Sequence, residues 1–359
     1  MRRYMIYCVL FCVVLALFAG ACTKSTDPDN RVAKPVFEPA PGTYGADQII
    51  SITCATSDAT IRYTTDGSEP DESSTLYSGP MNLGGAYNLK AKGFKDGKSP
   101  SKTTNGEYIV ADYADNFVYV WGGTFHNGVA EVTVSGFLID KYETTQSSYA
   151  AVMGNNPGYG YGVGDNYPVY WVDWFDAILY CNRRSIQEGL DPCYSYDSYG
   201  SDPQDWPENW KVIEENNQKV SCDWNANGYR LPTEAEWEFA ARGGNLSQGY
   251  TYSGGNDPLL VGWISANSNN SIHPVGQKLP NELGIYDMCG NLMELCWDNY
   301  QEYPNYPRTD PRGPSTGIWR MRRDGGWRYS AQYSTISSRS QGLALVKRNY
   351  LGIRVCRKI

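Results

Sequence analysis

The residues of this chain best suited to contact chemistry lie near its C-terminus, between Trp327 and Val355. Arg328, Tyr329, Ser330, Tyr333, Ser334, Ser340, Gly342, Leu343, Leu345, Val346 and Tyr350 follow no packing period there. Among them sit Trp327, Ala331, Gln332, Arg339, Gly352 and Arg354, which read as scaffold. Tyrosine gives a large amphipathic contact at low entropy cost, while serine and glycine adapt to a partner. That mixture on loops is recognition chemistry. Catalytic chemistry finds less support. Only two histidines occur, His126 and His273, which removes histidine-rich metal sites and most acid–base dyads. No Gly-x-Ser-x-Gly elbow or Walker-type phosphate loop is present. Gly158-Tyr-Gly-Tyr-Gly162 is loop material, since a phosphate cradle would need a following helix. Among 39 acidic residues, no spacing singles out a glycosidase-like pair.

The N-terminus reads as a processing signal. Arg2 and Arg3 precede an apolar run from Met5 to Ala19, short for a membrane span. Phe18-Ala19-Gly20-Ala21-Cys22 resembles a bacterial lipoprotein cleavage site, in which Cys22 becomes the lipidated first residue. Residues 1–21 would then be the signal and 22–33 a polar tether. The expectation is a lipid-anchored envelope protein, exported to the outer membrane and exposed at the surface. Losing residues 1–21 leaves 29 basic against 39 acidic residues, a balance that disfavours nucleic acid as a partner. From Arg320 onward the sign reverses, with ten basic residues and one acid, Asp324. Half of those arginines are expected to bond loop carbonyls. Cys54, Cys181, Cys193, Cys222, Cys289, Cys296 and Cys356 show no zinc spacing and are expected mostly as small buried hydrophobes.

The elements that must position the C-terminal residues fall into two units. In residues 34–111, Ile50, Ile52 and Cys54 alternate with polar residues, and Ile61 and Tyr63 lead into the turn signal Asp66-Gly67. Residues 115–359 open on an apolar strand from Phe117. Asp173 is a plausible N-cap for a helix presenting Trp174, Ala177, Ile178 and Cys181 on one face. Thr233-Glu-Ala-Glu236 is a capping box whose helix closes at Gly243.

The order Tyr63-Thr-Thr-Asp-Gly-Ser-Glu-Pro70, Tyr77-Ser-Gly-Pro80 and Leu89-Lys-Ala-Lys-Gly93 resembles the C-terminal immunoglobulin-like domain of chitobiases and hexosaminidases. Asn227-Gly-Tyr-Arg-Leu-Pro-Thr-Glu-Ala-Glu-Trp237, His273-Pro-Val-Gly276, Gly290-Asn291 and Asp324-Gly-Gly-Trp327 resemble the formylglycine-generating-enzyme, or sulfatase-modifying factor, family. The implied architecture is an all-β immunoglobulin-like sandwich followed by a loop-rich α+β C-type lectin fold. In that family two cysteines bind copper and perform the oxidation; counted from Trp327, their places hold Tyr329 and Ser334. The resemblance also implies a structural calcium, with Asp287 and Glu294 as side-chain ligands and Gly290 and Leu292 offering carbonyls. No other cofactor is implied.

The segment at about 318–355 further resembles the variable region of retroelement-diversified surface lipoproteins of spirochaetes. There, codons change only at adenines, starting from asparagine. All eleven C-terminal residues named first are reachable by such changes, whereas Trp327, Gln332, Gln341 and Lys347 are not. The expected function is non-catalytic binding of a protein or glycan on another cell or surface. A copper-dependent oxidase and a passive surface spacer are the alternatives.

Overall fold

The computed structural model describes residues 30–44, 49–82, 85–110 and 116–358. The signal segment, Cys22 and most of the tether lie outside the described residues. The described chain divides into two compact units, with the change-over at Tyr108 and Ile109.

The first unit is all-β. One sheet joins Val36–Glu38, Ile49–Thr53 and Met81–Asn82, with the middle strand antiparallel to both neighbours. The other orders Gly42–Tyr44, Thr104–Val110, Gly85–Phe94, Thr60–Thr64 and Thr75–Leu76. The expected alternation holds at Ile50 and Ile52, which are buried, but not at Ile61 and Tyr63, which are half-buried like Arg62 and Thr64 beside them. Cys54 falls just past its strand and is half-buried, its thiol donating to the Ala33 carbonyl.

Three helices and two four-stranded sheets organise the second unit. Helix α1 (Gln146–Met153) is capped by the Thr145 side chain, which accepts from the Ser148 N–H. Helix α2 (Trp174–Gln187) starts at Asp173 in a complete capping box and buries Trp174, Ala177, Ile178 and Cys181. Helix α3 (Glu234–Ala241) has the Thr233/Glu236 capping box, and beyond its C-cap Arg242 the chain turns left-handed at Gly243 (φ 86°). Each such cap supplies about 1 kcal/mol by satisfying otherwise orphaned amides.

One sheet orders Tyr229–Arg230, Cys356–Arg357, Phe137–Asp140 and Phe117–Val120. The other contains β1 (Met293–Asn299), β2 (Trp319–Arg323), β3 (Arg339–Leu343) and β4 (Leu351–Gly352), in the order β3-β2-β1-β4. The run from Leu351 to Val355 is extended as strand only at its start. It pairs with β1 only at Leu351 and Gly352, then crosses to the first sheet at Cys356. Between the two sheets, Arg354 is fully buried.

Candidate functional site

Arginines fasten the C-terminal segment to the core at several points. Arg323 is fully buried and bonds Glu234 at 2.9 Å and Glu238 at 3.2 Å, both on α3. Arg339 forks onto both oxygens of Glu234, at 2.6 and 2.8 Å, and lies over the Tyr303 ring. Arg354 meets Glu294 and also donates to the carbonyls of Asp140 and Tyr286. Arg320 donates to the carbonyls of Trp297 and Asn217 while stacking on Trp174. The expected scaffold role for many of the basic residues therefore holds, and the planar guanidinium explains it. One side chain satisfies carbonyls on separate loops while covering an aromatic face.

After β2 the chain turns at Asp324 (φ 66°) and Trp327 is buried. The Trp327 indole N–H donates to the Asn349 carbonyl at 3.0 Å, and its backbone N–H to Asn291 at 2.7 Å. The chain between Trp327 and Asn349 is thus pinned at both ends. Within it, Arg328, Ser330 and Tyr333 are exposed, and Tyr329, Ser340, Leu343, Leu345, Val346 and Tyr350 are half-buried. Tyr329 meets Tyr333 and Tyr350 edge to face, with ring centroids at 5.9 and 5.2 Å. The Arg328 guanidinium lies 5.3 Å from the Tyr350 ring centre. Burial raises the Tyr329 hydroxyl to about 12, so it stays protonated and can donate.

Two of the expected contact residues are corrected. Ser334 is only 1% exposed and tucks beneath Gly325 in the turn after β2. Gly342 is buried on β3, where an added Cβ would stand 2.0 Å from the Arg322 guanidinium carbon. Its smallness makes room for that arginine. Gln332, expected as scaffold, is exposed.

Of the two side chains expected to ligate calcium, Glu294 is paired within the protein. Both Glu294 oxygens are taken by Arg354, and the Trp237 indole N–H donates to one of them at 2.6 Å. Asp287 accepts from the Gly276 N–H through one oxygen, while its other oxygen is buried without a partner. Among the described residues no group of three or more His, Cys, Asp or Glu could hold a metal ion. Nearby, Gly290 bridges to Trp263, and the Leu292 N–H donates to Glu143.

The seven described cysteines are all free, and five are buried. Burial pushes the thiols of Cys181, Cys289, Cys296 and Cys356 well above the usual range, which disfavours thiolate.

Sequence reasoning missed the neighbouring wall of this face. Tyr159 stacks on Trp171 at 5.6 Å, and Tyr161 lies 5.4 Å from Trp327. Trp171 holds φ 60° while its N–H donates to the Arg348 carbonyl, docking the Gly/Tyr loop against the segment. Tyrosines alternating with glycine were the available signal.

Residues 110–359 match the sulfatase-modifying factor enzyme 1-like domain, and residues 39–105 the chitobiase/beta-hexosaminidase C-terminal domain. The chain is 41% identical over 257 residues to the chaperone protein LppX of Paenibacillus barcinonensis, covering 66% of this chain and 85% of that one. It is 30% identical over 261 residues to the formylglycine-generating enzyme of Thermomonospora curvata, covering 60% and 84%. Among solved structures, Treponema denticola variable protein 1 superposes with a TM-score of 0.60 at 30% identity, covering 74% of this chain and 98% of that one. The structure of CarF gives 0.55 at 26% identity, covering 68% and 98%.

Proposed function

The chain belongs to the sulfatase-modifying factor enzyme 1-like family, and from that premise we propose that it is a non-catalytic member that binds a ligand on another surface through residues 328–350. One observation carries the reading: an exposed Arg/Tyr face stands on a rigid base of buried ion pairs. Contact residues can then change with little effect on the fold, since exposed substitutions usually cost less than about 0.5 kcal/mol. Likeness to Treponema denticola variable protein 1 supports it. So does the lack of thiols where the family resemblance puts its copper ligands. Tyr329 and Ser334 offer hydroxyls, and a soft metal needs thiolate.

The test uses the mature chain coated on a surface and a panel of intact bacterial and epithelial cells. Replacing Arg328, Tyr329 and Tyr333 together with alanine is expected to abolish cell retention and lower the melting temperature by less than about 5 °C. Unchanged retention, or an unfolded variant, overturns the proposal. Conversion of the cysteine in a sulfatase peptide by the wild-type protein would favour the oxidase instead.

The proposal includes anchoring at the cell envelope through a lipid on Cys22, with the outer membrane as destination. Support comes from the apolar run and small residues before Cys22. Mass spectrometry of the protein extracted from envelopes is expected to show an acylated N-terminal cysteine; a free thiol there sinks the anchor.

A further inference from the structure

Charge around the binding face is unbalanced. The acids near it are already engaged. Asp173 and Asp176 take Lys347, Asp176 also takes Lys211, and Glu234 and Glu238 hold Arg323. Glu214 lies within electrostatic reach of Arg322, yet both its oxygens accept the Leu345 N–H. Three arginines remain. Among the described residues no carboxylate comes within ion-pairing distance of Arg322, Arg328 or Arg348. Arg328 and Arg348 are exposed, whereas Arg322 is buried under Gly342 with its Nε unpartnered. They gather about the same rings. Arg328 lies against Tyr350, and Arg322 is within electrostatic range of Tyr329, Tyr350 and Arg348. Burial without a paired anion holds the Arg322 guanidinium below its ordinary range, so an incoming anion would relieve it.

We propose that the ligand of this face is an acidic polypeptide segment, whose carboxylates meet Arg328 and Arg348 while its apolar groups pack on Tyr350 and Leu345. This rests on the ligand-binding reading above. Guanidinium forks match carboxylates in pairs, and arginine beside tyrosine is the usual composition of an interface anchor. One observation favours polypeptide over an acidic glycan. Half-buried Leu343, Leu345 and Val346 adjoin the cations, and a uronate polymer has no apolar groups to cover them.

The probes are a random glutamate–tyrosine copolymer, polylysine of similar length and polygalacturonate, each immobilised and offered to the mature protein. Binding to the copolymer alone is expected, falling steeply as ionic strength rises. Arg328→Glu with Arg348→Glu is expected to weaken it by about tenfold or more, with an unchanged melting temperature because both side chains are exposed. Arg328→Lys with Arg348→Lys, which keeps charge but loses the fork, should fall between. Equal binding to polylysine, equal or better binding to polygalacturonate, or no binding to any probe overturns the proposal. Cell retention lost in the alanine variant, without copolymer binding by the wild type, leaves the binding face standing and removes only its acidic ligand.

Discussion

Arg354→Met destabilises the larger unit by about 3–5 kcal/mol, the usual cost of removing one partner from a buried ion pair. Arg354 is fully buried, and its guanidinium joins three parts of the chain at once: Glu294 on β1, the Asp140 carbonyl and the Tyr286 carbonyl. Methionine fills much of the volume but leaves Glu294 charged and held only by the Trp237 indole. The two carbonyls lose a donor as well. Chemical denaturation read by tryptophan fluorescence checks this. A loss under about 1 kcal/mol would mean that water reaches Glu294 and that the crossing residues do not hold the sheets together. Arg354→Met with Glu294→Gln should recover part of the loss, because the stranded charge is gone.

The second large effect concerns pH. Asp298 on β1 is buried, and burial together with nearby Glu234 raises its carboxyl to about 8. Its Oδ2 accepts the Glu234 N–H at 2.8 Å, so the protonated acid keeps that bond without burying a charge. In the unfolded chain the same acid titrates near 3.8. Between about pH 4 and 8 the folded state therefore holds a proton that the unfolded state has released. Stability from this group is greatest at the acid end of that window and declines as pH rises through it. Asp324, raised to about 8, and Asp140, raised to about 6, act in the same direction. Asp298→Asn preserves an acceptor and cannot ionise. It should raise the melting temperature at pH 8 by several degrees and change it little at pH 5. An equal shift at both pH values would show that Asp298 does not titrate in this window.

What could be read along the chain was what short-range signals encode. Asp173 and the Thr233/Glu236 box announced α2 and α3, because a cap and its amides lie within three residues. Helix α1 escaped notice despite Thr145 and Gly154 at its ends, since QSSYAAVM carries a weak apolar stripe and buries only Gln146 and Tyr149. The basic C-terminus showed that arginines would bond carbonyls but not which ones. Arg354 and Glu294 are sixty positions apart, and nothing local marks Glu294 as its partner. Ser334 has the residue type of a contact serine, yet the turn at Asp324 folds over it. Burial of that kind is a property of two distant stretches together. Arg328, Tyr329 and Tyr333, which nothing periodic claimed, do stand at the surface, Tyr329 half-buried.

The bond from the Trp327 indole to the Asn349 carbonyl has a consequence for the segment it closes. It joins the two ends of the segment, and Arg339 staples its middle to Glu234. What lies between is a loop before Arg339 and, after it, β3 and the turn that follows, in place of one long free loop. With the ends fixed, added length costs little, since doubling a loop adds only about 0.6 kcal/mol. Because the staple separates them, sequence change in one part need not disturb the other. A substitution on one side of the staple therefore leaves the anchors of the other side in place.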